Sequence, residues 1–183
     1  MSFRSSLRPA MIIFMFLAAG GISAADFAEY RVKAEFIERI AEFVDWPEEA
    51  FHGPEEPFVI TIFGKDPFGR YLEDLVRTRT IKGRKIVLRR VRSGAPLGLC
   101  HLLFIANSEY ARLGELLAAT AGRAVLTIGD GEKFAKEGAH IGVYNKGGRL
   151  SFEINLKESR RSGLVVSSKL MRLAAIVYGE AGI

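Results

Sequence analysis

Cysteine is nearly absent from the sequence, with Cys100 the only one among 183 residues. A single cysteine cannot form an internal disulfide, so we expect packing alone to stabilise the fold. Cys100 begins an apolar run, in which a free thiol behaves as a small hydrophobic side chain. The alternative, a redox-active or intermolecularly bridged thiol, requires an exposed sulfur close to positive charge.

The common catalytic motifs are absent as well. The sequence contains no Walker phosphate-binding loop, no Gly-x-Ser-x-Gly nucleophile elbow and no dinucleotide-binding fingerprint. The three histidines, His52, His101 and His140, are scattered without the spacing of metal ligands. Cys100 and His101 are neighbours on a predicted strand, so their side chains point to opposite faces. We therefore expect no enzymatic activity, no catalytic residue, no metal and no cofactor.

Long apolar runs are missing after residue 25, and the N-terminus has the pattern of a secretory signal peptide. Arg4 and Arg8 are basic, residues 10–19 are apolar, and residues 20–25 are mostly small. The alternative is an uncleaved membrane anchor, but the apolar stretch is shorter than the roughly 20 residues that span a bilayer. We therefore expect the chain to be exported.

Cleavage is expected after Ala25, which divides the chain into a signal peptide, residues 1–25, and one domain, residues 26–183. The part removed carries two arginines and no acid, so the formal charge falls from +5 to +3. That mildly basic balance does not indicate binding to nucleic acid.

The apolar run at residues 100–106 is the centre of the predicted fold. It has no helical period, which is typical of a strand covered on both faces in a parallel sheet. Strands at 58–63 and 85–91, with a helix between them, predict a right-handed β-α-β unit. The other predicted elements are a helix over 29–44, a helix from about 108 to Gly122, a strand at 124–128, a short helix around Phe134, a β-hairpin over 140–156 and a last helix bearing Leu164, Leu170, Leu173, Ala174 and Val177.

Together these elements predict an α/β sandwich, with a mostly parallel sheet flanked by helices and a C-terminal antiparallel hairpin. Pro47 is expected to end the first helix. Trp46, just before it, is expected to close one end of the core, although a contact with a ligand is an alternative for this ring.

Three strand-to-helix loops should converge at the carboxyl edge of such a sheet, which is where ligands bind in open α/β folds. Their polar side chains predict a site for a small anionic or polar ligand, formed by Lys65, Asp66, Asn107, Ser108 and Asp130. Helix capping is a simpler explanation for Asp66, Ser108 and Asp130. The sequence leaves both open.

Two basic clusters predict a docking face for an acidic partner or an anionic lipid. One belongs to the second strand and includes Arg89, Arg90 and Arg92, and the other begins the last helix with Arg160 and Arg161. The alternative is a charged edge strand that prevents edge-to-edge pairing.

Several stretches, in order, resemble the YfiR family of periplasmic proteins. Each is weak alone, but the ordered set covers nearly all of residues 26–183. The matching stretches are 28–36, 43–47, 58–60, 64–69, 100–105, 125–130, 134–135, 152–155 and 167–170.

The resemblance implies a non-enzymatic periplasmic regulator that binds the periplasmic sensor domain of an inner-membrane diguanylate cyclase and represses it. It further implies that an OmpA-like outer-membrane lipoprotein can draw the repressor away, that cyclic di-GMP controls biofilm formation and motility, and that the protein is a homodimer. Well-known relatives carry additional cysteines in disulfides. Because only Cys100 is present here, redox control is not expected.

Related domains also accompany sensor kinases and outer-membrane receptors. The resemblance therefore leaves open a periplasmic ligand-sensing module that serves a different signalling protein. A hydrolase that uses the carboxyl-edge crevice is a further alternative.

Overall fold

An eight-stranded, mostly parallel sheet is the centre of the computed structural model, which describes residues 24–179. Its elements are α1 (Ala24–Glu42), β1 (Val44–Asp45), β2 (Phe58–Phe63), α2 (Arg70–Thr78), β3 (Thr80–Ile81), β4 (Arg84–Val91), β5 (Leu102–Ile105), α3 (Leu113–Thr120), β6 (Leu126–Asp130), β7 (Ile141–Lys146), β8 (Arg149–Asn155), α4 (Leu156–Arg161), β9 (Val165–Val166), α5 (Ser168–Met171) and β10 (Ile176–Tyr178). Two 3-10 helices, Glu48–Ala50 and Asn107–Arg112, complete them.

The predicted signal peptide covers residues 1–25. Residues 1–23 lie outside the described part of the chain, so its cleavage stays a prediction.

The strand order across the sheet is β10-β8-β7-β6-β5-β2-β4-β3. Strands β4, β2, β5, β6 and β7 are parallel, whereas β8 is antiparallel to β7. Strand β5 lies between β2 and β6, and all four of its residues are buried. The prediction that the apolar run forms an inner parallel strand is therefore confirmed, as is the predicted fold class.

Two hydrophobic layers cover the faces of the sheet. On one face, α1 and α2 pack against alternate strand residues such as Ile60 and Phe104. On the other face, α3 packs against the intervening residues, such as Phe63 and Leu103. Cys100 belongs to this second layer and is 2% exposed, and burial raises the pKa of its thiol. It is therefore packed as a small hydrophobic side chain.

Trp46 closes the amino end of the first layer, as predicted. Its ring meets Phe58 edge to face at 4.9 Å between centroids. Its indole N–H donates to the carbonyl of His101 at 3.3 Å. The predicted hairpin is confirmed too, because β7 and β8 are joined by Gly147 and Gly148, both with positive φ.

The predicted last helix is wrong. The segment is divided into α4, β9, α5 and β10. Gly163, with a φ of 72°, follows the end of α4. Beyond it, Val165 and Val166 pair with β1, and Ile176 to Tyr178 pair with β8. The β-branched valines and isoleucine of these two strands favour extended backbone once a neighbouring strand is available.

The predicted short helix around Phe134 is also wrong, because residues 132–138 form consecutive turns. These turns seat the Phe134 ring directly over Gly129. A Cβ at Gly129 would lie 2.0 Å from the Phe134 ring, so only glycine fits at this position of β6.

Candidate functional site

A cavity of about 330 Å³ lies at the carboxyl edge of the sheet, where β2, β5 and β6 end. It contains all five side chains that the sequence predicted for a ligand site. The lining residues are Tyr30, Lys65, Asp66, Pro67, Ala106, Asn107, Ser108 and Asp130. The three loops therefore converge as expected for parallel strands.

The loops after β2 and β5 are bonded to each other. The hydroxyl of Ser108 accepts a hydrogen bond from the backbone N–H of Lys65 at 3.2 Å. Gly64 makes this approach possible, since it has a φ of 97° and a Cβ there would lie 2.5 Å from Cγ of Glu109. Neither Asn107 nor Ser108 caps the helix that begins at this point, because no side chain makes the capping hydrogen bond. That part of the capping alternative is wrong.

Asp66 does not cap α2 either. One of its carboxylate oxygens accepts from the backbone N–H of Phe68 at 2.7 Å, and the other accepts from Nε of Arg90 at 2.5 Å. Helix α2 begins only at Arg70, after Gly69. Asp66 thus stabilises the loop through a local turn and an ion pair with a neighbouring strand.

Asp130 is bound by two side chains of α1. Lys33 Nζ lies 2.7 Å from Oδ1 of Asp130, and the hydroxyl of Tyr30 donates to Oδ2 at 3.0 Å. Lys33 also pairs with Glu29 at 2.6 Å. Lys33 is 3% exposed and Asp130 is 6% exposed, so this is a buried ion pair, and its Asp130 lines the cavity.

Lys33 and Tyr30 were missed at the level of sequence, where neither was a candidate site residue. Lys33 precedes Ile37 by four residues, so it lies on the stripe that α1 buries. A lysine on an apolar stripe is the signal that could have indicated a buried acidic partner.

The pKa of Glu29 is lowered. Burial raises it, but hydrogen bonds from Lys33 and Asn145 and the charge of Lys33 outweigh the burial. Lys33 thus forms ion pairs with two carboxylates, those of Glu29 and Asp130.

Two lining side chains remain without partners. Within residues 24–179, neither the Lys65 ammonium nor the Asn107 side-chain amide has a hydrogen bond or an ion pair. Both side chains are exposed at the mouth of the cavity. The groups left for a ligand are therefore mainly donors, because both lining acids are already paired.

The two buried histidines lie at the opposite, amino edge of the sheet. Nδ1 of His101 accepts from the backbone N–H of Val59 at 2.9 Å, and Nδ1 of His140 accepts from that of Thr127 at 2.9 Å. In the neutral ring the proton must then be on Nε2, which faces the carbonyl of Ala50 in His101 and the hydroxyl of Ser162 in His140.

A second cavity, of about 410 Å³, contains His140, Glu158, Arg161 and Ser162. Nε2 of His140 lies 3.0 Å from the hydroxyl of Ser162. Because this nitrogen carries the proton, it donates to the serine and has no lone pair with which to activate it. Burial lowers the pKa of His140 to about 4, against the opposing effect of Glu158. The arrangement therefore gives Ser162 no general base.

The two predicted basic clusters do not form one surface. Arg89 to Arg92 lie near the carboxyl end of β4, whereas Arg160 and Arg161 follow β8 at the amino edge. Strands β2, β5, β6 and β7 separate them, which corresponds to about 24 Å across the sheet.

Two members of the β4 cluster are engaged within the chain. Arg89 donates to the carbonyl of Leu99 at 2.7 Å. Arg90 binds Asp66 and also Glu73, the latter at 2.9 Å. Arg92 and Arg160 are exposed and have no ion pair within the described residues. Arg161 is exposed and pairs with Glu158 at 3.1 Å.

Among residues 24–179, no helix combines the length and the apolar character that a membrane span requires. In the same residues, no three histidine, cysteine or acidic side chains are grouped so that they could hold a metal ion.

Comparison with known proteins and protein families identifies the family of this chain. No curated protein matches the chain significantly in sequence. The YfiR/HmsC-like family matches residues 30–175, which include every element from most of α1 to α5, as well as the lining of the carboxyl-edge cavity. The chain belongs to the YfiR/HmsC-like family.

Proposed function

We propose that the protein is a periplasmic, non-enzymatic regulator that binds the periplasmic sensor domain of an inner-membrane diguanylate cyclase and represses it. The observation that carries the proposal is the family match over residues 30–175. The YfiR-like family is periplasmic and regulatory, and it implies interaction with a diguanylate cyclase. Repression would lower cyclic di-GMP, and with it biofilm formation.

A repressor of this kind needs a surface for its partner, and we assign it to the region around α4. Three of the six large apolar side chains that are exposed among the described residues follow α4, namely Val165, Leu173 and Ile176. Helix α4 contacts both β9 and β10 and supplies the exposed Arg160 and Arg161. We call these five residues the C-terminal surface. Apolar side chains with arginines beside them are typical of protein interfaces.

The β4 cluster is the weaker candidate for the same contact. Arg89 and Arg90 already bind groups of the chain itself, so they offer fewer free donors to a partner. Reversing the charge of Arg90 would also disturb the Asp66 loop, which would confuse any test of docking.

The test is Leu173→Glu, because Leu173 is 70% exposed and its replacement leaves the core intact. We expect copurification with the cyclase sensor domain to be lost and cyclic di-GMP to rise as it does in a deletion strain. Val87→Glu is the matched control, since Val87 is an exposed apolar residue of β4. Unchanged cyclic di-GMP after deletion of the gene would exclude repression. An equal loss of copurification in both variants would exclude the C-terminal surface.

Two further partners belong to this proposal. An OmpA-like outer-membrane lipoprotein would withdraw the repressor under envelope stress, and the working form would be a homodimer. Light scattering of the purified exported protein tests the dimer, and copurification from envelope extracts tests the lipoprotein.

The carboxyl-edge cavity favours a second candidate function, a ligand-sensing module for a sensor kinase or an outer-membrane receptor. Its supporting observation is the convergence of Lys65, Asn107 and Ser108 on one opening. The neighbouring gene discriminates between the two functions. A cyclase with a periplasmic domain favours repression, whereas a kinase or a receptor favours sensing.

A further inference from the structure

The geometry points to a ligand for the carboxyl-edge cavity: a small organic carboxylate, held at its carboxylate by the side chains of Lys65 and Asn107. This inference deepens the second candidate function, on which it rests, because a sensing module requires a ligand. It is independent of the cyclase contact, which we assign to the other edge of the sheet.

The first argument is the inventory of free groups. The ammonium of Lys65 offers three donors and the amide of Asn107 offers two, and neither is used within residues 24–179. They belong to different loops, after β2 and after β5, and line the same cavity. Donors that converge from two loops fit an acceptor with two oxygens, and hydrogen bonds between charged partners are the stronger kind.

The second argument is that the acids of the cavity do not repel such a ligand. Asp66 is paired with Arg90 at 2.5 Å, and Asp130 is paired with Lys33 at 2.7 Å. Each lining carboxylate therefore has a cation beside it, although Lys33 also pairs with Glu29 and Arg90 also pairs with Glu73. The lining charge left without a partner is the positive one of Lys65.

The third argument is the rest of the lining, which is less polar. Pro67 and Ala106 supply apolar surface, and the ring of Tyr30 adds an aromatic wall held edge to face against Phe68 at 5.8 Å. A volume of about 330 Å³ lies at the lower end of the range for small-molecule sites. The carbon skeleton of the ligand would contact this wall, which an inorganic anion cannot do.

The position of the cavity predicts a consequence for the fold. Tyr30 belongs to α1, whereas Lys65 and Asn107 belong to loops of the sheet. A ligand that contacts all three connects α1 to the sheet, so its binding should raise the thermal stability of the protein.

The experiment is titration calorimetry of the purified protein with benzoate, with its neutral analogue benzamide and with inorganic phosphate. We expect benzoate to bind at least about tenfold more tightly than benzamide and than phosphate, and to raise the unfolding temperature. Lys65→Gln should weaken benzoate at least about tenfold, while Lys85→Gln, which removes an exposed charge at the amino end of β4, should change it less than about twofold.

Several results would overturn the inference. Equal affinity for benzoate and benzamide would remove the role of the carboxylate, and equal affinity for benzoate and phosphate would indicate an anion site without an organic component. An equal loss of benzoate affinity in Lys65→Gln and Lys85→Gln would indicate general electrostatic attraction of the anion to the protein. Absence of benzoate binding would reject the site, and it would leave repression of a cyclase untouched because no cyclase is present in this assay.

Discussion

Both edges of the parallel sheet bury titratable side chains, but they use them differently. At the amino edge, each nitrogen of His101 and His140 has a partner, and the rings give the backbone N–H groups of Val59 and Thr127 an acceptor. At the carboxyl edge, Asp130 is paired with the buried Lys33 and lines an open cavity. Lys65 and Asn107 stay unpaired at its mouth within the described residues.

The difference shows how the same kinds of residue can complete a fold or form a site. A buried polar group whose every partner is supplied by the chain stabilises that chain and offers nothing to a ligand. A site requires some groups that the fold holds in place without satisfying them. By this criterion the histidines are structural, and the carboxyl edge is where we propose that a ligand binds.

The largest effect is expected from removing the cation of the carboxyl edge. Lys33→Met leaves Asp130 buried without its ion pair, and Glu29 loses its ion pair too. We expect a loss of about 3–5 kcal/mol in the free energy of unfolding, measured by urea denaturation.

Two controls accompany this variant. Lys33→Met combined with Asp130→Asn should recover much of the loss, because the uncompensated charge is gone. Lys136→Met, at an exposed position, should change stability by less than about 0.5 kcal/mol. If Lys33→Met matched Lys136→Met, the ion pair would contribute little and the contrast between the edges would be lost.

The amino edge should be sensitive to acid. His140 has a folded pKa of about 4, below its ordinary value of 6.5, and burial is the main cause. Between these two pH values the unfolded chain binds a proton that the folded chain does not. The part of the folding stability that is linked to neutral His140 is therefore present above pH 6.5 and is lost as the pH falls toward 4. Its size is about 3 kcal/mol, since each tenfold change in proton affinity is worth about 1.4 kcal/mol.

Urea unfolding at several pH values between 4 and 7 measures this loss. His140→Gln should flatten the dependence, although a smaller slope should remain because burial also lowers the pKa of His101. An unchanged slope in His140→Gln would mean that His140 is not the group that titrates.

The smallest effect is expected at Ser162, whose hydroxyl accepts the Nε2 proton of His140. Ser162→Ala removes one neutral hydrogen bond beside a cavity that water can enter, so we expect a loss of about 1 kcal/mol in urea denaturation. Ser162→Thr should restore it. Repression of the cyclase should be unaffected by either variant, whereas its loss with stability retained would give the hydrogen bond between His140 and Ser162 a functional role.

Local pattern was enough for the elements at the centre of the sheet. The apolar run ending at Ala106 has no helical period, and that alone predicts an inner strand. The order of strands and helices then predicts that the loops carrying Lys65, Asn107 and Asp130 meet at one edge. Local pattern was not enough for the last segment, which was predicted as one helix. Ile176 and Val177 fit a helical spacing as well as a strand, and only pairing with β8 decides between them.

What the sequence by itself determined is the sheet and the convergence of three polar loops at its carboxyl edge, since both follow from short-range periodicity and from the direction of parallel strands. The tertiary structure alone decided which polar groups are paired. Lys33 and Asp130 are 97 positions apart, and Asp66 and Arg90 are 24 positions apart. Such pairs depend on how α1 and the strands pack, and no local spacing encodes them. That packing leaves Lys65 and Asn107 as the groups available to a ligand.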